Sequence, residues 1–200
     1  MRLTLHTFLT LDGVMQAPGG PDEDREGGFT HGGWSFPYGD EEFANPMIGW
    51  FEHADAFLLG RKTYDIFNGY WPQHDDADDP IASRLNRLPK HVASRSRSTF
   101  EWANTAPISD VVSEVTKLKE QPGDELQVHG SGALAHTLIE HDLIDEYRLM
   151  IFPVHLGSGK KLFADGGKAA SLRLLSSKAT SAGVIIATYE PAGDVRYGSY

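Results

Sequence analysis

Two periodicities alternate along this chain, and that alternation restricts it to a fold of mixed strands and helices. Residues 2–11, RLTLHTFLTL, set Leu3, Leu5, Leu9 and Leu11 on one side and Arg2, Thr4, His6, Phe8 and Thr10 on the other. That period of two predicts a strand. Residues 43–54 instead repeat apolar side chains every three to four positions, at Phe43, Met47, Trp50 or Phe51, and Ala54. This predicts a helix, with Asn45 as its N-cap and Pro46 in its first position.

The alternation continues. Strands are predicted over 54–59, 90–93, 125–129 and 144–154. Helices are predicted over 61–67, 81–88, 110–120 (opened by Ser109) and 133–141. Segments 172–181 and 183–190 close the chain as a hairpin about Ala182-Gly183. The expected fold class is α/β: a three-layer sandwich with a mixed, mostly parallel central sheet, helices on both faces and a C-terminal antiparallel hairpin. No repeat or linker interrupts the 200 residues, so one domain over 1–200 is expected. Gly13 to Gly39 reads as one long loop, and a loop of that length is usually functional. Its Trp34 and Tyr38 are expected to form a lid.

Composition removes several function classes. There is no cysteine, hence no disulfide framework, thiolate nucleophile or iron–sulfur cluster. The net charge of −10 leaves no excess for a broad basic surface, so no nucleic-acid partner is expected. The excess acid sits in two runs, Asp22 to Glu26 and Asp75 to Asp79, which read as solvated loops. No apolar window is long enough to span a bilayer, and the N-terminal stretch meets Asp12 early. A cytoplasmic protein without membrane contact is the expectation. The nine histidines are scattered, so no metal site is expected. The G-x-S-x-G, H-E-x-x-H and Walker A patterns are all missing.

Three strand-to-helix junctions carry the candidate chemistry, because open α/β sheets bind ligands beyond the carboxyl ends of their strands. The first is Gly60, Arg61, Lys62 and Thr63: a residue permitting close approach, two cations and a hydroxyl. It reads as a phosphate site or as an ordinary helix start. The second is Ser94, Arg95, Ser96 and Arg97, suited to a ribose phosphate or to an exposed polar loop. The third is Gly130, Ser131, Gly132, Ala133, Leu134 and Ala135, whose letters fit G-x-G-x-x-A. It falls too late in the chain for a Rossmann unit. Asp12, beside Gly13, is a candidate for orienting substrate or relaying a proton, or a plain turn residue.

These segments together resemble the dihydrofolate reductase-like superfamily. More closely, they resemble stand-alone relatives of the reductase domain of riboflavin-biosynthesis deaminase-reductases. The resemblance runs through TLDGVM (10–15), LLGRKTY (58–64), HVASRS (91–96), the run 128–163 and the closing hairpin. It implies an NADPH-dependent reductase, often homodimeric, acting on a small polar substrate. It places Gly60, Arg61, Lys62 and Thr63 at the cofactor phosphates and Ser94, Arg95 and Ser96 at the adenosine 2′-phosphate. Gly130, Ser131, Gly132, Ala133 and Leu134 fall along the pyrophosphate and nicotinamide. Asp12 and His6 are the expected catalytic or substrate-lining residues. Two departures stand out. Met47 falls where dihydrofolate reductases carry a pterin-gripping carboxylate, unless Asp40 or Glu42 serves instead. His6 falls where riboflavin-type reductases carry a lysine. The alternative reading is a non-catalytic, dimeric nucleotide- or ligand-binding module.

Overall fold

The computed structural model describes residues 1–199. Eight strands form a single sheet: β1 (Arg2–Thr10), β2 (Ala54–Gly60), β3 (Lys90–Ala93), β4 (Thr105–Ile108), β5 (Glu125–His129), β6 (Glu146–Phe152), β7 (Leu172–Ala179) and β8 (Ile185–Pro191). Five helices connect them: α1 (Glu41–Glu52), α2 (Arg61–Asn68), α3 (Pro80–Arg87), α4 (Val111–Glu120) and α5 (Gly132–Glu140). The strand order is β4-β3-β2-β5-β1-β6-β8-β7. Strands β4 through β6 in that order pair in parallel, and β8 and β7 pair antiparallel. The expected mixed, mostly parallel sheet with its antiparallel hairpin is what forms.

Alternation distributes the strand side chains between two layers of helix. Leu3, Leu5 and Leu9 join Leu58, Leu126 and Val128 under Leu134, Ala135 and Leu138 of α5 and Val115 and Leu118 of α4. On the other face Phe57, Leu59 and Val92 meet Phe51 of α1, Tyr64 of α2 and Leu85 of α3. A third cluster, built on Phe152, Met150, Val184 and Ile186, is covered by Val14, Ala17, Phe29 and Trp34 from the long loop.

Four expectations need correction. Helix α1 begins at Glu41, not near Asn45: the Asp40 carboxylate accepts from Phe43 N at 2.8 Å and caps it. Pro46 therefore lies inside the helix, where it leaves the Glu42 carbonyl without its usual donor. Asp110, not Ser109, caps α4 by accepting from Ser113 N. Strand β4, Thr-Ala-Pro-Ile, went unpredicted because proline is tolerated only where no ladder bond is needed, and β4 is the outer strand. Trp34 is no lid. It is buried, its indole N–H donates to Gln16 O at 2.8 Å, and its ring stands edge-on to Phe152. Tyr38 likewise packs edge-on to Phe152.

Candidate functional site: a cleft across the strand ends

The three junctions meet in one cleft of about 880 Å³ at the carboxyl ends of β2, β3 and β5. Gly60, Arg61, Lys62, Thr63, Ser94, Arg95, Ser96 and Gly130 through Leu134 all line it, as does His6. Two of the junctions are laced together. Ser131 Oγ accepts from Gly60 N at 2.9 Å and donates to the His129 carbonyl at 2.9 Å. Thr63 Oγ1 accepts from Ser131 N at 3.1 Å. The turn after β5 carries positive φ at Gly130 (55°) and Ser131 (58°), while Gly132 has no positive φ. A Cβ at Gly132 would stand 3.2 Å from Met15 Sδ.

Helix termini divide sharply by location. Helices α1, α3 and α4 are capped by Asp40, Asp79 and Asp110. Helices α2 and α5, which begin at the cleft on neighbouring strands, have no side-chain cap. Their first-turn N–H groups and positive dipole ends are left for an anion between them.

Charge along the cleft is uneven. Lys160 is held by Asp24 at 2.5 Å and by Glu26, and Lys62 by the same Glu26, so the acidic loop neutralises both lysines. These partners hold the Glu26 carboxyl down at about 2. Arg61 and Arg97 share Asp65, and Arg97, which is not part of the cleft lining, stacks over Tyr64 and Phe100. Arg95 makes no ion pair among the described residues.

The floor is polar and buried. In register across the sheet lie His129 of β5, His6 of β1 and Arg148 of β6. His6 stacks on His129 at 4.6 Å, and His129 stacks on Phe51 at 4.6 Å. Arg148 donates to Glu125 through both terminal nitrogens and to Glu146 through Nε at 2.6 Å. Burial, with the neighbouring His129 and Arg148, pushes His6 well below its ordinary value, and burial pushes His129 down to about 3. Both imidazoles are neutral. Met47, Trp50 and Phe51 of α1 line the cleft above them.

No carboxylate of α1 reaches the cleft. Asp40 caps its own helix, and Glu42 accepts from Ser181 N at 2.5 Å. Asp12 does not line it either. Its carboxylate accepts from Thr10 Oγ1 at 2.6 Å, Gly157 N at 2.8 Å and Leu156 N at 3.2 Å. Despite desolvation, those donors lower it to about 2. It joins the end of β1 to the loop after β6. Sequence reasoning missed Arg148, Glu125 and His129, because alternation marks a polar face without telling whether a helix covers it.

The pattern of the RibD C-terminal domain matches residues 2–186. The chain belongs to the RibD C-terminal domain family. This is a reductase family, typically dependent on a nucleotide cofactor. The chain is 30% identical over 194 residues to the uncharacterized protein YyaP of Bacillus subtilis (strain 168), covering 94% of each. Two crystal structures share its fold. A Shewanella sp. PV-4 protein provisionally assigned to riboflavin biosynthesis superposes with TM-score 0.67 at 21% identity, over 96% of this chain and 99% of that one. A pyrimidine reductase-like protein of Corynebacterium diphtheriae superposes with TM-score 0.63 at 16% identity, over 96% and 92%. No helix is long and apolar enough to cross a membrane, and no cluster able to hold a metal ion occurs among the described residues.

Proposed function

We propose that this protein is an NADPH-dependent reductase that delivers hydride to a C=N or C=O carbon of a small polar substrate. The observation that carries the reading is the pair of uncapped helix N-termini, α2 and α5, side by side at the mouth of the cleft. They supply N–H donors and positive potential for a pyrophosphate. Gly60 and Gly130 through Leu134 let backbone approach it, with the turn fixed by Ser131 and Thr63. The unpaired Arg95 guanidinium, with Ser94 and Ser96, suits a further phosphate on the ribose and supports NADPH over NADH. The bound nicotinamide supplies the hydride. The polypeptide orients the reacting faces, and Met47, Trp50 and Phe51 keep water away from them.

The expected homodimer has a fitting surface in the outer strand β7. Its Leu174 and Leu175 are 50% and 43% exposed, an unusual apolar load for an unpaired edge. The test of function is NADPH consumption, followed at its nicotinamide absorbance, against a panel of small cyclic imines, amides and ketones. Turnover supports the reductase. Tight NADPH binding with no turnover of any panel member favours the non-catalytic binding module.

A further inference from the structure

We propose that Glu26 is a built-in competitor for the anionic ligand: its carboxylate masks Lys62 at the start of α2 until the pyrophosphate of a dinucleotide displaces it. This deepens the reductase reading and rests on it for the identity of the ligand. The first observation is where the masked cation sits. Lys62 is the second residue of α2, whose N-terminus has no side-chain cap, and it lines the cleft. Its ammonium pairs with Glu26 and with no other carboxylate among the described residues. The other cations of the lining are placed differently. Arg148 is balanced by Glu125 and Glu146, and Arg61 shares Asp65 with Arg97. Lys160 holds Asp24 as well as Glu26, and Arg95 has no ion pair among the described residues. Removal of Glu26 therefore frees one new cation, beside the bare N–H groups of α2.

The second observation is that a docked loop delivers the acid. Gln16, 4% exposed, donates through Nε2 to the Asp24 carbonyl at 3.2 Å and the Glu26 carbonyl at 3.0 Å. Its Oε1 accepts from Lys160 N at 3.1 Å, and Asp24 holds Lys160 Nζ at 2.5 Å. The backbone of the acidic segment is thus fastened to the loop after β6, while the Glu26 side chain stands exposed between two ammoniums. Rotation of that side chain alone releases Lys62. An exposed ion pair is worth little, so the contact yields readily. A pyrophosphate brings more charge and more acceptor oxygens than a carboxylate, and the N-termini of both α2 and α5 offer it donors. The ligand wins the exchange, and its affinity is lowered by the ion pair it breaks.

Calorimetry with inorganic pyrophosphate, NADH and NADPH on the wild type, Glu26→Gln and Asp22→Asn tests this. Asp22 belongs to the same acidic run, pairs with Arg25 and does not line the cleft, so Asp22→Asn controls for the loss of one negative charge. Glu26→Gln should bind all three probes more tightly, by roughly three- to fivefold, the worth of an exposed ion pair. NADH and NADPH should gain equally, because they share the pyrophosphate. Asp22→Asn should match the wild type. Unchanged or weaker binding in Glu26→Gln overturns the inference, as does an equal gain in Asp22→Asn or a gain confined to NADPH. Tighter pyrophosphate binding in Glu26→Gln, with neither dinucleotide bound by any of the proteins, supports the mask and counts against the reductase reading alone. Failure of every probe to bind overturns both.

Discussion

Asp12 and the two stacked histidines show how far one residue's surroundings decide its role. Asp12 accepts three hydrogen bonds that hold the end of β1 against the loop after β6. A carboxylate so bound is a fastening. Asp12→Ala should cost about 2 kcal/mol of unfolding free energy, from charge-assisted bonds lost at a mostly buried site, and leave NADPH affinity unchanged. Denaturant unfolding and calorimetry on one preparation check this. A lost affinity at unchanged stability would mark Asp12 as part of the site after all. His6 and His129 are neutral when folded and titrate near 6.5 when unfolded. The unfolded state thus binds more protons below that value. For His129 stability falls as pH drops from about 6.5 toward about 3, by about 1.4 kcal/mol per pH unit, and His6 adds a loss of the same sign. Over pH 7.5 to 5 carboxylates contribute little, so the melting temperature should drop there, and His129→Phe should flatten the slope. An unchanged slope in that variant contradicts the assignment.

Elements were legible where one rule governed and obscure where two competed. Strands β3 and β5 lie where their apolar runs end at polar turns, and the predicted bounds coincide with the observed ones. The start of α1 was misread because Asn45-Pro46 imitates a helix opening, while the true cap, Asp40, is recognised only from its bond to Phe43. The alternation of β1 was read correctly, but Thr4, His6 and Thr10 of its polar side are buried as well. Helix α1 covers it, and nothing in a period of two reveals that. The three junctions were readable because small and cationic residues after an apolar run have few other uses. Gly132 sharpens this point: its φ is not positive, so the turn itself does not require glycine there. Gly132→Val pushes against the flexible end of Met15 at 3.2 Å, a strain of about 1 kcal/mol. It should melt near the wild-type temperature and lose most NADPH affinity. Retained affinity would separate this junction from the cofactor site.

At the scale of the whole molecule, the sheet sorts its tasks along the cleft. The β2–β3 end is cationic and the β1–β6 end is a neutral polar floor under aromatic rings. Folate should turn over poorly, since Met47 rather than a carboxylate faces that floor and Asp40 and Glu42 are engaged elsewhere. Brisk dihydrofolate reduction blocked by antifolates would contradict this. The proposed NADPH site rests on two bare helix ends and one free guanidinium. Calorimetric titration of NADPH and NADH into the wild type and Arg95→Ala tests it most directly. NADPH should bind more tightly than NADH, by roughly ten- to hundredfold for one charge-assisted phosphate contact. Arg95→Ala should lose most of this margin while NADH affinity stays put. Equal affinities in the wild type, or a margin untouched by the substitution, would contradict it.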